Sequence, residues 1–228
     1  MSNLFEFKVP RVESPVHVDA IQALRFRGAL PGAFGFDHAA AVIRELQTRG
    51  IEAIELLPLL LPTSWMVNAK ATSRTFQRFF LPDAMQDWAE LFSLLATPWQ
   101  DLEEADRVAA SLAVARLAKV EGSNLMSVAK VLSLVSPHHV PLMDDSALWF
   151  VLGVGDPPKS SDGTTGSPEH FRAMMDWFAK TVRENAASLE AMIPLHQLAP
   201  LTSHQCLDRI LWYCAWGQSI DPVTRGRA

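Results

Sequence analysis

The feature that most constrains this chain is a series of apolar-periodic segments between residues 82 and 216, bounded by proline, glycine or small polar residues. The clearest of them is 103–119, where Val108, Leu112 and Leu117 recur at helical spacing. Segments of this kind predict amphipathic helices joined by short breaks. The sequence therefore predicts an all-α, mainly helical fold.

Start and stop residues predict where these helices lie. The predicted helices are 38 to about 49 after Asp37, one from about 65 after Thr63 and Ser64, 82 to about 95, 103–119, 124–135, 147 to about 152, 168–185, 188 to about 193 and 203–216. Residues 51–57 fit either a strand or a short helix, because the apolar run is too short for periodicity to decide. Prolines and glycines interrupt residues 1–35, so we expect that segment to be irregular.

A chain of 228 residues with 49% hydrophobic side chains can bury one sizeable core. We predict three parts: an N-terminal extension packed on the core (1–62), a helical domain (63–217) and a short tail (218–228). The net charge is −5, and residues 101–228 carry 15 Asp or Glu against 11 Lys or Arg. This balance weighs against a large basic surface for nucleic acid.

The cysteines and the first residues of the sequence indicate in which cellular compartment the protein is expected. Cys206 and Cys214 are eight residues apart, which is about 12 Å along a helix and too far for a disulfide. We expect reduced, buried thiols in a cytoplasmic protein. The first residues lack the pattern of a secretory signal, and the longest apolar stretch, 56–62, is too short to cross a membrane.

The segment from Val120 to Asp144 is the most informative for function. It begins with the end of a helix and a Gly122-Ser123-Asn124 turn. A second apolar helix follows, then a proline-broken connection, and Asp144 stands where the next helix begins.

This order resembles the helix-hairpin-helix DNA glycosylase (HhH-GPD) superfamily over about residues 80–216. Members of that superfamily carry a Leu-Pro-Gly-Val-Gly-type hairpin, a helix and then a catalytic aspartate. The spacing matches here without a gap, with Gly122 at the first hairpin glycine and Asp144 at the aspartate. The segment 207–212 also resembles poorly characterised relatives of the superfamily. The resemblance implies a glycosylase-like helical bundle that contacts double-stranded DNA.

Two positions depart from the family pattern. Asn124 replaces the second hairpin glycine, and we expect it to keep the turn because asparagine tolerates the left-handed conformation better than most residues. Met126 stands where bifunctional members carry a lysine nucleophile. A thioether cannot form a Schiff base, so we expect no lyase chemistry of that kind.

The resemblance implies a set of candidate site residues, each with a structural alternative. Asp144 would activate water or stabilise the sugar cation, or it would simply cap the next helix. Gly122, Ser123, Asn124 and Lys130 would contact the DNA backbone, although a lone lysine on an apolar helix is more often a surface residue. Trp149 and Phe150 would line a pocket for an extruded base, or they would belong to the core.

Adjacent His138 and His139 suggest a metal site only weakly, since neighbouring histidines point in different directions; we predict no metal and no cofactor. The first functional hypothesis is therefore a DNA-associated protein of this superfamily, either a monofunctional base-excision enzyme using Asp144 or a descendant without catalysis. The alternative is a helical protein-interaction module that keeps the scaffold without binding DNA. The sequence leaves enzymatic activity and oligomeric state undecided.

Overall fold

The computed structural model of the protein describes residues 4–10, 13–19, 22–24, 33–65, 77–120, 123–143, 145–153, 167–192 and 202–217. The α-helices in these ranges are α1 (Ala33–Thr48), α2 (Ala53–Trp65), α3 (Pro82–Leu94), α4 (Glu104–Ala118), α5 (Leu125–Val135), α6 (Asp145–Leu152), α7 (Pro168–Glu184), α8 (Ala186–Met192) and α9 (Ser203–Trp212). A short 3₁₀ helix (Trp99–Asp101) precedes α4, and a π-helical segment (Tyr213–Gly217) continues α9. The prediction of an all-α, mainly helical protein is confirmed.

Capping residues explain where the helices begin. Ser167 and Thr202 each form a reciprocal capping box, in which the cap side chain accepts from the third helical N–H and the third side chain accepts from the cap N–H. Pro82 and Pro168 occupy first positions, where a missing N–H costs no hydrogen bond. The predicted starts near 82, 103, 124, 168 and 203 are therefore confirmed within a residue or two.

Of the two alternatives left open for residues 51–57, the structure shows a helix, whereas the predicted helix start after Thr63 and Ser64 was wrong. Thr63 and Ser64 lie in the last turn of α2 and do not cap a new helix, and the residues after Trp65 lie outside the described part up to 76. Pro58 stands inside α2 although an interior proline costs about 3 kcal/mol. The burial of three leucines at 56, 57 and 60 offsets this cost, at about 1.5–3 kcal/mol each.

The N-terminal region also differs from the prediction. Strands β1 (Leu4–Phe7) and β2 (Val16–Asp19) form an antiparallel pair in the segment that was expected to be irregular. Helix α1 begins at Ala33, so Asp37 lies inside it and is not its cap. A single glycine such as Gly35 costs a helix only about 1 kcal/mol, which is too little to delay the start. The predicted stop is confirmed: Gly50 follows α1 with φ of 86°.

One hydrophobic cluster joins the described elements, from Phe5 in β1 to Ala215 after α9. Its largest fully buried members include Trp88, Trp99 and Phe171, and Trp99 meets Phe171 edge to face at 5.9 Å. Helix α2 crosses the proposed boundary between residues 62 and 63, and side chains on both sides of that boundary belong to this cluster.

Helices α4 and α5 pack against each other, and α1 and α2 pack on α5. This arrangement places α5, with ten buried positions among its 11 residues, at the centre of the fold. None of the helices in the described ranges is both long and apolar enough to cross a bilayer. The tail 218–228 lies outside the described residues.

Candidate functional site

The predicted hairpin lies between α4 and α5, and residues 121 and 122 within it lie outside the described part of the chain. Helix α4 ends at Ala118, and Lys119 caps it by donating its N–H to the Arg116 and Leu117 carbonyls. The Ser123 N–H donates to the Val120 carbonyl at 2.8 Å. The two helices that the sequence predicts on either side of this segment are therefore confirmed.

Asn124 stabilises the second helix by a mechanism that the sequence did not predict. Its φ of −159° and ψ of 174° are extended, so the expected left-handed conformation is wrong. Instead its Oδ1 accepts hydrogen bonds from the Ser127 N–H and the Ser127 hydroxyl, both at 2.9 Å. Asn124 is therefore the N-cap of α5.

Gly122 and Asp144, which align with the first hairpin glycine and the catalytic aspartate of the resembled superfamily, both lie outside the described residues. The chain on either side of Asp144 is described: Met143 is fully buried, and α6 begins at Asp145. Asp144 thus immediately precedes a helix, as both the catalytic and the capping hypotheses require.

The other predicted site residues are distributed along α5 and α6. Ser123 and Asn124 are both half-buried and directly precede α5. Lys130 lies nearly two turns further along, is half-buried, and takes part in an interaction within the protein. The Phe150 side chain is only 7% exposed and belongs to the hydrophobic cluster, whereas the Trp149 side chain is outside the described part.

Met126, next to the predicted hairpin, belongs to the hydrophobic cluster. Its side chain is 5% exposed and is packed in the core at the first turn of α5. No amine nucleophile stands at this position, so the turn carries no group there that could attack a sugar carbon as a Schiff-base former.

One basic side chain near the end of α4 is held in ion pairs. Arg116, in the last turn of α4, contacts Asp87 at 2.6 Å and Glu90 at 3.3 Å. The hydrogen bond with Asp87 raises the pKa of the Arg116 guanidinium above its ordinary value. This cation is therefore already engaged by two carboxylates of α3.

A second group of ion pairs lies at the far end of α4. Arg172 contacts Glu104 at 2.7 Å, and Asp176 accepts a 2.6 Å hydrogen bond from the Trp99 indole while Arg107 approaches it at 3.7 Å. These pairs join α4 to α7 and the 3₁₀ helix. They occupy basic side chains that a DNA-binding face would present to phosphates.

Lys119 was not among the predicted site residues. It is exposed and stands directly after α4, at its C-cap. A basic residue at a helix C-terminus meets the negative end of the helix dipole favourably, and its position three residues before Gly122 was visible in the sequence.

The described histidines, cysteines and carboxylates also bear on metal binding and thiol reactivity. Among the described residues, no group of three or more His, Cys, Asp or Glu side chains is arranged to hold a metal ion. Cys206 and Cys214 are buried free thiols, as predicted, and burial raises their pKa values to about 11 and about 12. Neither would be a thiolate at neutral pH.

Comparison of the chain with protein-family models, with curated proteins and with solved structures gave no match.

Proposed function

We propose that this protein is a DNA-associated protein with a helix-hairpin-helix glycosylase-like scaffold, whose turn at 119–124 lies against the backbone of duplex DNA. The observation that carries the proposal is the order of three helices. Helix α4 is followed by α5, which Asn124 caps, and α6 then begins directly after Asp144. This is the order of elements by which the superfamily positions a carboxylate near a nucleotide.

The turn offers two kinds of phosphate contact. Leu125 and Met126 occupy the first two positions of α5, where backbone N–H groups have no intrahelical carbonyl partner. Such N–H groups, together with the helix dipole, favour an anion at the helix start. Lys119 adds an exposed positive charge at the other side of the turn. The proposed contact is weak and independent of sequence, since the neighbouring Arg116 is held by Asp87 and Glu90.

Base excision is a separate step within the same proposal. Met126 removes the lyase route, so a monofunctional reaction with Asp144 activating water is the chemistry that the scaffold supports. An assay of base release from duplexes carrying varied lesions, with Asp144→Asn beside the parent, separates this enzyme from a catalytically inactive descendant. Loss of release without a change in melting temperature would identify a catalytic carboxylate.

DNA association is tested by fluorescence anisotropy with a labelled duplex over a salt series from about 50 mM upward. Lys119→Ala should weaken binding and reduce the salt slope by about 1, because one phosphate contact is lost. Lys180→Ala is the matched control, since Lys180 is an exposed lysine on α7 paired with Glu184. No duplex binding at the lowest salt, or equal effects of the two substitutions, would contradict the proposal.

One observation favours the alternative, a helical module that binds a protein. Val108 and Leu112 lie one turn apart on α4 and are 39% and 50% exposed. Apolar side chains at this spacing on one helix face suit a helical partner. Sedimentation velocity at rising concentration, with Leu112→Glu as the variant, tests the simplest such partner, a second copy of the chain. Concentration-dependent association that the variant abolishes, without duplex binding, would favour this alternative.

A further inference from the structure

A groove of about 520 Å³ lies between strand β1 and helix α7. The consecutive residues 6–10 line its strand side, and we call it the β1 groove. The described residues of its helix side are Trp177, Lys180, Thr181, Glu184 and Asn185. No described residue of the turn at 119–124 lines this groove, so binding here would not depend on DNA contact by the turn.

The β1 groove follows one edge of the two-stranded sheet. Strand β2 pairs with β1 from Leu4 opposite Asp19 to Phe7 opposite Val16, yet no described residue of β2 lines the groove. The groove therefore opens along the edge of β1 that faces away from β2. Such an edge presents backbone N–H and C=O groups that no neighbouring strand uses.

One hydrogen bond identifies the backbone groups that face the groove. The Trp177 indole N–H donates to the Lys8 carbonyl at 2.8 Å, so this carbonyl points towards α7. In an extended chain the N–H and C=O of one residue point to the same edge, and so do those of alternate residues. Burial alternates without a break from Phe5 to Val9, which indicates that the chain stays extended through Lys8. Glu6 therefore presents its backbone groups on the same edge as Lys8.

Three of these backbone groups are open to a further partner. Within the described part of the chain, the bond from Trp177 is the hydrogen bond made on this edge of residues 6–10. The N–H and C=O of Glu6 and the N–H of Lys8 remain. Donors and acceptors that repeat at the spacing of a strand match another extended main chain, which binds by adding a strand to the sheet.

Both walls of the groove have the length of a short strand. From Trp177 to Asn185 the helix side rises about 12 Å, at about 1.5 Å per residue. From Glu6 to Pro10 the strand side extends about 13 Å, at about 3.3 Å per residue. Pro10 ends the edge because its nitrogen carries no hydrogen. The groove therefore fits an extended segment of about four residues.

The side chains of β1 specify what such a segment carries, because residues directly opposite each other on paired strands share a face. Phe7 and Val9 are buried on the core face together with Trp177. Glu6 and Lys8 are exposed on the other face. The Lys8 ammonium forms no ion pair within the described part of the chain, and the Glu6 carboxylate has a 3.4 Å contact with exposed His17. An acidic side chain therefore fits beside Lys8, and a basic one fits beside Glu6.

We propose that the β1 groove binds an extended segment of a partner protein, which adds to β1 as an antiparallel third strand. Read from its N-terminus, the segment carries an apolar, an acidic, an apolar and a basic side chain. These four side chains lie opposite residues 9, 8, 7 and 6 in that order. The two apolar side chains enter the groove against Trp177, and the backbone of the segment bonds to Glu6 and Lys8.

The experiment uses the whole chain and the blocked hexapeptide Ser-Val-Glu-Val-Lys-Ser as the probe. Binding is measured by calorimetry and by the NMR signals and hydrogen exchange of the backbone amides. We expect the probe to shift the Glu6 and Lys8 amide signals and to slow their exchange. The peptide with Glu and Lys interchanged has the same composition and should bind about threefold to tenfold more weakly, because both cross-strand charge pairs become repulsive. Methylation of the Glu and Lys nitrogens of the probe should abolish binding, whereas methylation of the two Val nitrogens, which face away from β1, should not.

Variants of β1 locate the site. Lys8→Pro removes an N–H that faces the groove and should weaken probe binding about fivefold or more. His17→Pro is the matched control, because His17 lies opposite Glu6 and its backbone faces the far edge of β2. Lys8→Glu should erase the preference for the probe over the charge-interchanged peptide, because each peptide then has one attractive and one repulsive pair. If Lys8→Pro does not fold, Lys8→Glu still tests the site, since the Lys8 side chain is exposed.

Four results would each overturn the proposal. The first is unchanged Glu6 and Lys8 amides when the probe is in large excess. The second is equal binding of the two methylated peptides, which would show that the backbone edge is not used. The third is an equal loss with Lys8→Pro and His17→Pro, which would place the peptide elsewhere. The fourth is self-association of the protein without peptide that Lys8→Pro abolishes, which would make a second copy of the chain the occupant.

Discussion

His204 should make the stability of this protein depend on pH below neutrality. The ring lies in the first turn of α9 and stacks on Phe178 with 5.7 Å between centroids and an 18° interplanar angle. Burial, followed by the charges of His139 and His138, lowers its pKa from 6.5 to about 4. The folded protein therefore holds His204 neutral in a pH range where the unfolded chain protonates it.

The direction and size of this pH dependence follow from the difference between the folded and unfolded pKa values of His204. Between pH 6.5 and about 4 the unfolded state binds more protons at this position, so the free energy of unfolding falls as the pH falls. The contribution is complete above pH 6.5 and is lost towards pH 4. From the two pKa values, His204 alone should cost about 2 kcal/mol by about pH 5, and about 3 kcal/mol when the loss is complete.

The assay is urea unfolding at a series of pH values, with His204→Phe compared with the parent. Phenylalanine keeps an aromatic ring against Phe178 but cannot bind a proton, so the free-energy difference between parent and variant should change by about 2 kcal/mol from about pH 7.5 to about pH 5. His17→Gln is the control, because His17 is an exposed histidine on β2. Parallel pH curves for the parent and His204→Phe would refute the reasoning.

Two further predictions concern the site and the thiols. Asn124→Ala should destabilise the protein by about 1 kcal/mol, because the Ser127 N–H loses its cap, whereas Asn124→Asp should stay near the parent value in the same urea assay. Equal losses for both substitutions would argue against capping. Cys206 and Cys214, buried and with raised pKa values, should resist alkylation at neutral pH in the native protein and react together on unfolding, as followed by mass spectrometry in urea; rapid labelling of the native protein would contradict their burial.

Local signals were enough to predict most of the helical core. Thr202 and Pro168 mark helix starts by interactions within one turn, so their effect is visible in the sequence alone. The central helix α5 was equally clear, because Asn124 and the apolar residues after it specify both its start and its burial. The prediction for Asn124 concerned its backbone angles, whereas its side chain stabilises the helix by accepting the Ser127 N–H.

Distant packing decided what the sequence could not show. The helix that contains Pro58 and the strand pair each pack on partners far along the chain. Beside β1, for example, the Trp177 indole N–H donates to the Lys8 carbonyl at 2.8 Å, and the Phe7 and Trp177 ring centroids are 6.3 Å apart. A proline inside a helix and a two-stranded hairpin are marginal by themselves. Their stability comes from the hydrophobic cluster that they help to cover.

The histidines show the same limit. Only the adjacency of His138 and His139 was visible in the sequence, yet the fold also brings Arg44 and His204 near them. Burial, followed by the charges of neighbouring side chains, lowers the pKa of His138 and the pKa of His204. Three separate segments create this environment together, so no local pattern in the sequence could predict it.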